Sequence, residues 1–131
     1  MISFCVPARV KKSKNKYFNL NLNEYLNAHY RVLNNAKRDF DALVPVGLIK
    51  SQLKECPIQG RVRVHYTYFV QSARRYDRMN VLSIVDKFLM DTLVKSGILK
   101  DDDYTRVLTP TFEHGGVDKD NPRIEVRIEV V

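Results

Sequence analysis

The residues best placed to do chemistry are carboxylates gathered at the two ends of one amphipathic stretch. Asp77 precedes that stretch, and Asp101, Asp102 and Asp103 follow it just beyond Gly97. Three adjacent carboxylates repel one another unless they are solvated or share a cation. Mg²⁺ is held by one or two carboxylates together with substrate phosphates and waters. Such an ion activates a water and stabilises the leaving oxygen when a phosphodiester is cut. Lys87 and the arginines Arg74, Arg75 and Arg78 can neutralise phosphate charge beside it. Each feature also has an ordinary structural meaning. An aspartate run after a glycine makes a solvated turn, Asp77 is a normal helix-entry residue, and Lys87 can be a plain surface lysine.

The elements that must position these groups follow from periodicity. Val81, Ile84, Val85, Phe88, Leu89 and Leu93 recur at helical spacing, which predicts a helix from about Asn80 to Ser96 with Gly97 as its C′ residue. Arg61–Val70 alternates cleanly, with Val62, Val64, Tyr66, Tyr68 and Val70 on one side, as in a half-buried strand. RIEVRIEVV at the end of the chain reads as another strand, and ISFCVPA at residues 2–8 as an opening one. Asn21 or Asn23 can cap a helix running to about Leu43 on Tyr25, Leu26, Tyr30, Leu33 and Phe40, with His29 a satisfied structural histidine. A short helix is expected in GLIKSQLKEC, a strand over 104–113 broken or placed at an edge by Pro110, and a loop over EHGGVDKDNP. This order predicts one domain over residues 1–131, a two-layer α+β fold with helices on one face of a mixed sheet.

Composition narrows the partners. Twenty-two basic against 15 acidic residues give a net charge of +7, which fits nucleic acid and also fits plain solubility. The segment RVKKSKNKY, expected as a loop, carries five basic residues and no acid; Lys11, Lys12, Lys14, Asn15 and Lys16 are its candidates for backbone contact. No window approaches the roughly 18 apolar residues of a membrane span, and the start has the reverse of a secretory signal, so a cytoplasmic protein is expected. Cys5 and Cys56 lack metal-ligand spacing and are expected as buried thiols.

The central stretch, RRYDRMNVLSIVDKFLMDTLVKSGILKDDD, resembles the RusA family of Holliday junction resolvases, small dimeric endonucleases common in phages. Asp77 matches that family's first aspartate and Asn80 its asparagine. Lys87 and Asp91 match its helix pair, Gly97 its glycine, and Asp101 with Asp102 its closing pair. Ser13–Phe18 is similar to its N-terminal motif, and the alternating tail to its last strand. Two departures stand out. Met79 replaces the second aspartate, and a thioether is a poor ligand for a hard cation. About one helical turn is also inserted between Asn80 and Lys87, which shifts the lysine along the helix. For the oxygen absent at Met79, Asp86 and Asp103 are the alternatives.

The resemblance implies a Mg²⁺- or Mn²⁺-dependent homodimer that resolves branched DNA by paired nicks in a bacterial host's cytoplasm. It implies Asp77 and Asp102 as metal ligands with Asp101 in support, Lys87 at the reacting phosphate, and Arg74, Arg75, Arg78 and Asn80 on the DNA. A helix of this length spans about 25 Å. Asp77 and Asp102 can therefore share a metal only if the chain folds back along the helix or a partner subunit supplies one of them. Two rivals remain: a junction-binding relative that does not cut, and a small basic RNA-binding or interaction module, although no stretch reads as an aromatic RNP strand.

Overall fold

The computed structural model describes all 131 residues, Met1–Val131. The chain runs β1 (Ile2–Val6), β2 (Arg9–Ser13), β3 (Lys16–Asn19), α1 (Leu22–Asn27), α2 (Tyr30–Leu43), α3 (Val46–Ser51), β4 (Val62–Val70), α4 (Arg78–Lys95), β5 (Thr111–Val117) and β6 (Arg123–Val130). It is a mixed α+β fold. Four strands pair in the order β1-β6-β4-β5, with β6 antiparallel to both neighbours and β4 parallel to β5. β2 and β3 form a separate hairpin. No helix is long and apolar enough to cross a membrane.

Strand parity builds the core. Ile2, Phe4 and Val6 stand opposite Ile128, Val126 and Ile124, which in turn stand opposite Val64, Tyr66 and Tyr68. All but the half-buried Tyr68 are shut away from water. The same parity turns Ser3, Arg127 and His65, and likewise Cys5, Glu125 and Thr67, to the opposite, polar face of the sheet. α4 covers the apolar face with nine buried residues between Val81 and Leu93. At its centre Phe88 stacks on Phe18 and meets Tyr25 and Phe40 edge-on, joining β3, α1 and α2 to α4. Truncating so buried a phenylalanine costs about 3–5 kcal/mol.

Several local expectations are corrected. The basic segment is not a loop but the β2–β3 hairpin, turning at Lys14 and Asn15. The first helix is two: Ala28 and His29 adopt extended backbone, and the His29 ring accepts from Arg31 N at 3.2 Å to cap α2. The break lets Tyr25 and Phe40 both pack on Phe88 and leaves Leu26 and Tyr30 exposed. α3 stops at Ser51 because Gln52 and Leu53 turn back to carbonyls three residues earlier.

The expected strand over 104–113 begins only at Thr111, after Pro110, and then runs through the glycines expected in a loop. Proline has no N–H for the ladder, and before it Val107 makes only one isolated bridge to Val62. Gly115 sits where an added Cβ would lie 2.9 Å from the Phe69 ring, and the register shifts between Tyr68 and Phe69. The glycine pair is therefore a bulge rather than a turn. Both cysteines are exposed, not buried; Cys5 shares the parity of Ser3 on the polar face.

Candidate functional site

Gly97 decides where the aspartates go. Its φ of +81° ends α4, and the N–H groups of Ile98 and Leu99 then bond back to the carbonyl of Leu93 at 2.9 and 3.1 Å. Ile98 and Leu99 are buried, and Ile58 N bonds to the Ile98 carbonyl at 2.9 Å. Further on, Val62 N bonds to Arg106 O and Leu108 N to Val62 O, so the returning chain is pinned beside the start of β4. It runs back along α4. Asp102 thereby enters a groove of about 380 Å³ with Ser83, Asp86, Lys87 and Met90 on one wall and Val107–Pro110 on the other.

The three adjacent aspartates have three different fates. Asp101 Oδ1 accepts from Asp102 N at 2.7 Å. Asp103 accepts from the backbone and hydroxyl of Thr105, chiefly the hydroxyl, and these bonds hold its carboxyl below the usual range. Only the Asp102 carboxylate makes no bond within the chain, and it is the one facing Asp86.

Asp86 is half-buried on α4 and its Oδ1 accepts from the Tyr66 hydroxyl at 2.5 Å. Burial raises its pKa most; the Tyr66 bond opposes this, and the nearby charge of Asp102 adds to it. The net direction is up. Tyr66 is fully buried in β4, and burial followed by the Asp86 charge pushes its own pKa well up, so it remains a donor. Two carboxylates thus oppose each other with one oxygen of Asp86 fixed from below and the lysine of position 87 at the rim.

No three His, Cys, Asp or Glu side chains cluster as a metal-binding group. Two carboxylates, with the hydroxyls of Ser83 and Thr109 in the same groove, are the hard oxygen donors that Mg²⁺ takes alongside its waters. Two like charges held together, one half-buried, also gain by sharing a cation. The residues fit.

The other expected residues lie apart from this groove. Asp77 caps α4, accepting from Met79 N at 2.9 Å, and lines a separate groove with Arg74, Arg75 and Asn80. Met79 is exposed and lines neither groove. Asp91 lies with Asp41 and Lys95 in a third. Arg78 is exposed in the first turn of α4, and Lys11, Lys12, Lys14, Asn15 and Lys16 are exposed along the hairpin.

Sequence reasoning missed the Tyr66 hydroxyl. A signal existed for it: a tyrosine among valines on a buried strand face needs a polar partner across the core. No protein-family model matches the chain, and no curated protein matches it.

Proposed function

We propose that this protein is a Mg²⁺-dependent endonuclease that cuts branched DNA, four-way junctions foremost, by paired symmetric nicks as a cytoplasmic homodimer. One observation carries the reading: Asp86, Asp102 and Lys87 share one groove, and the Asp102 carboxylate is left free of internal bonds. The RusA-like spacing of Asp77, Asn80, Lys87, Gly97, Asp101 and Asp102 supports it. So does the charge of +7.

Asp86 and Asp102 would hold Mg²⁺, which would supply an activated water and a Lewis acid for the phosphodiester. The chain's own residues do the rest. Tyr66 holds one Asp86 oxygen and so turns the carboxylate toward the groove. Lys87 neutralises charge on the reacting phosphate. The basic hairpin and Arg74, Arg75 and Arg78 hold the DNA backbone, so recognition is by shape and strongly salt-dependent. A two-fold dimer suits a four-way junction that needs two equivalent cuts.

A second reading is favoured by Met79 and by the capping role of Asp77: a protein that binds junctions without cutting them. A synthetic four-way junction and its matched linear duplex, incubated with Mg²⁺, Mn²⁺ or EDTA, separate the two. Metal-dependent paired nicks that vanish in Asp102→Asn support the endonuclease. Junction-selective binding with no nick in either metal supports the second reading.

A further inference from the structure

Besides the carboxylate groove, α4 borders a larger one of about 580 Å³ at its N-terminal end, lined by Arg9, Gln71, Arg74, Arg75 and Asn80. Three arginines line it against two carboxylates. Arg74 and Arg75 form neither an ion pair nor a hydrogen bond, whereas the two carboxylates are held by neutral donors of the chain. Asp77 caps Met79 N, and Glu24 accepts from Asn19 N and the Asn21 amide. Arg9 is held ready by stacking on the Tyr17 ring, 4.0 Å from its centroid, and by a bond to the Gln71 amide oxygen.

We propose that this groove is a subsite for an unpaired DNA strand, seating a nucleotide that lies on the path into the carboxylate groove. The inference deepens the DNA-cleaving reading and rests on it for the identity of the strand. A groove of this size matches a small ligand rather than a double helix. Three arginines suit phosphates, and the Asn80 amide offers a donor and an acceptor to the Watson–Crick edge that a base exposes only when unpaired.

The two grooves open along one helix. Asn80 lines the first and Ser83 and Lys87 the second, and at i, i+3 and i+7 they stand on one stripe of α4. From Asp77 to Asp86 is about 14 Å along the helix, or about four nucleotides of a stacked strand at roughly 3.4 Å each. The subsite therefore reads a nucleotide about that far from the cut.

The test measures binding of a labelled 12-nucleotide thymidine oligomer and of a 12-base-pair duplex by fluorescence anisotropy in EDTA, across a salt series. Arg74→Ala/Arg75→Ala is compared with Lys50→Ala/Lys54→Ala, which removes the same charge elsewhere. The arginine variant is expected to weaken the oligomer at least tenfold and to flatten the salt slope by about 1.4, roughly 0.7 per lost phosphate contact. The lysine variant should stay within twofold. Gln71→Ala should weaken binding without changing the slope. Equal losses in the two double variants, no loss in either, or tighter binding of duplex than of oligomer would overturn the subsite. Because no cleavage is read, a chain that never cuts a junction leaves this inference standing, and loss of arginine dependence leaves the cleavage reading standing.

Discussion

Tyr66, from the buried face of β4, donates its hydroxyl to Asp86 on α4, and the other partner of that carboxylate's environment is the free Asp102. Those two neighbours push the Asp86 pKa in opposite directions. Tyr66→Phe should therefore raise it further, and Asp102→Asn should lower it. A ¹³C-detected titration of the Asp86 carboxyl reads both. The Phe variant should also lose about 1–2 kcal/mol of stability, the cost of leaving a half-buried acceptor without its donor. Shifts of the same sign in both variants would mean that Asp102 does not face Asp86.

The raised pKa of Asp86 has a thermodynamic consequence of definite sign. Its native state binds a proton more tightly than the unfolded chain, whose carboxyl titrates near 3.8. The cost of its charge sets in as pH rises through that value and is complete above the raised native one. Asp86→Asn keeps an oxygen for Tyr66 and removes the charge. At neutral pH without metal it should be more stable than the wild type by about 1 kcal/mol in urea unfolding, and the difference should shrink as pH falls through the raised native value and be gone below the unfolded one. A residue whose removal stabilises the fold and abolishes cleavage is kept for function.

Asp77 is a helix cap in this structure, and asparagine caps as well as aspartate does. Asp77→Asn is expected to keep its stability within a few tenths of a kcal/mol, whereas Asp77→Ala loses about 1 kcal/mol. Junction cleavage by Asp77→Asn should fall no more than a few-fold. A fall as deep as that of Asp102→Asn would assign Asp77 to the metal, as the family resemblance implies.

The returning chain brings Asp86 and Asp102 of one chain into one groove, so in the proposed homodimer each subunit would hold both carboxylates. Mixing Asp86→Asn with Asp102→Asn subunits should then restore no nicking, because no mixed dimer contains an intact site. Recovery of single nicks would show that the carboxylates act across the dimer.

How much of this was legible in the sequence depends on the range of the interactions. Parity in Val62–Val70 and Arg123–Val130, the helical spacing from Val81 to Leu93 and the role of Gly97 are local, and they are found where the pattern puts them. The path of Ile98–Leu108 is not local: it depends on bonds to Ile58 and Val62, some forty residues away in sequence. For that reason the partner of Asp102 could not be read from spacing. Sequence left Asp86 and Asp103 as alternatives; Asp86 lines the groove with Asp102, whereas Asp103 bonds to Thr105 and does not line it. The split between α1 and α2 escaped because Asn27–Tyr30 carries no proline or glycine; the His29 ring, an unusual cap, does the work.

The most direct test of the metal site is the rate at which Asp86→Asn cuts a four-way junction in Mg²⁺, beside the wild type and Asp102→Asn. Both variants should fold, bind the junction as the wild type does, and cut about a thousandfold more slowly, the loss of roughly 4 kcal/mol of charge stabilisation. Cleavage by Asp86→Asn at the wild-type rate would contradict the account, since the groove between α4 and the returning chain would then not be where the phosphodiester is broken.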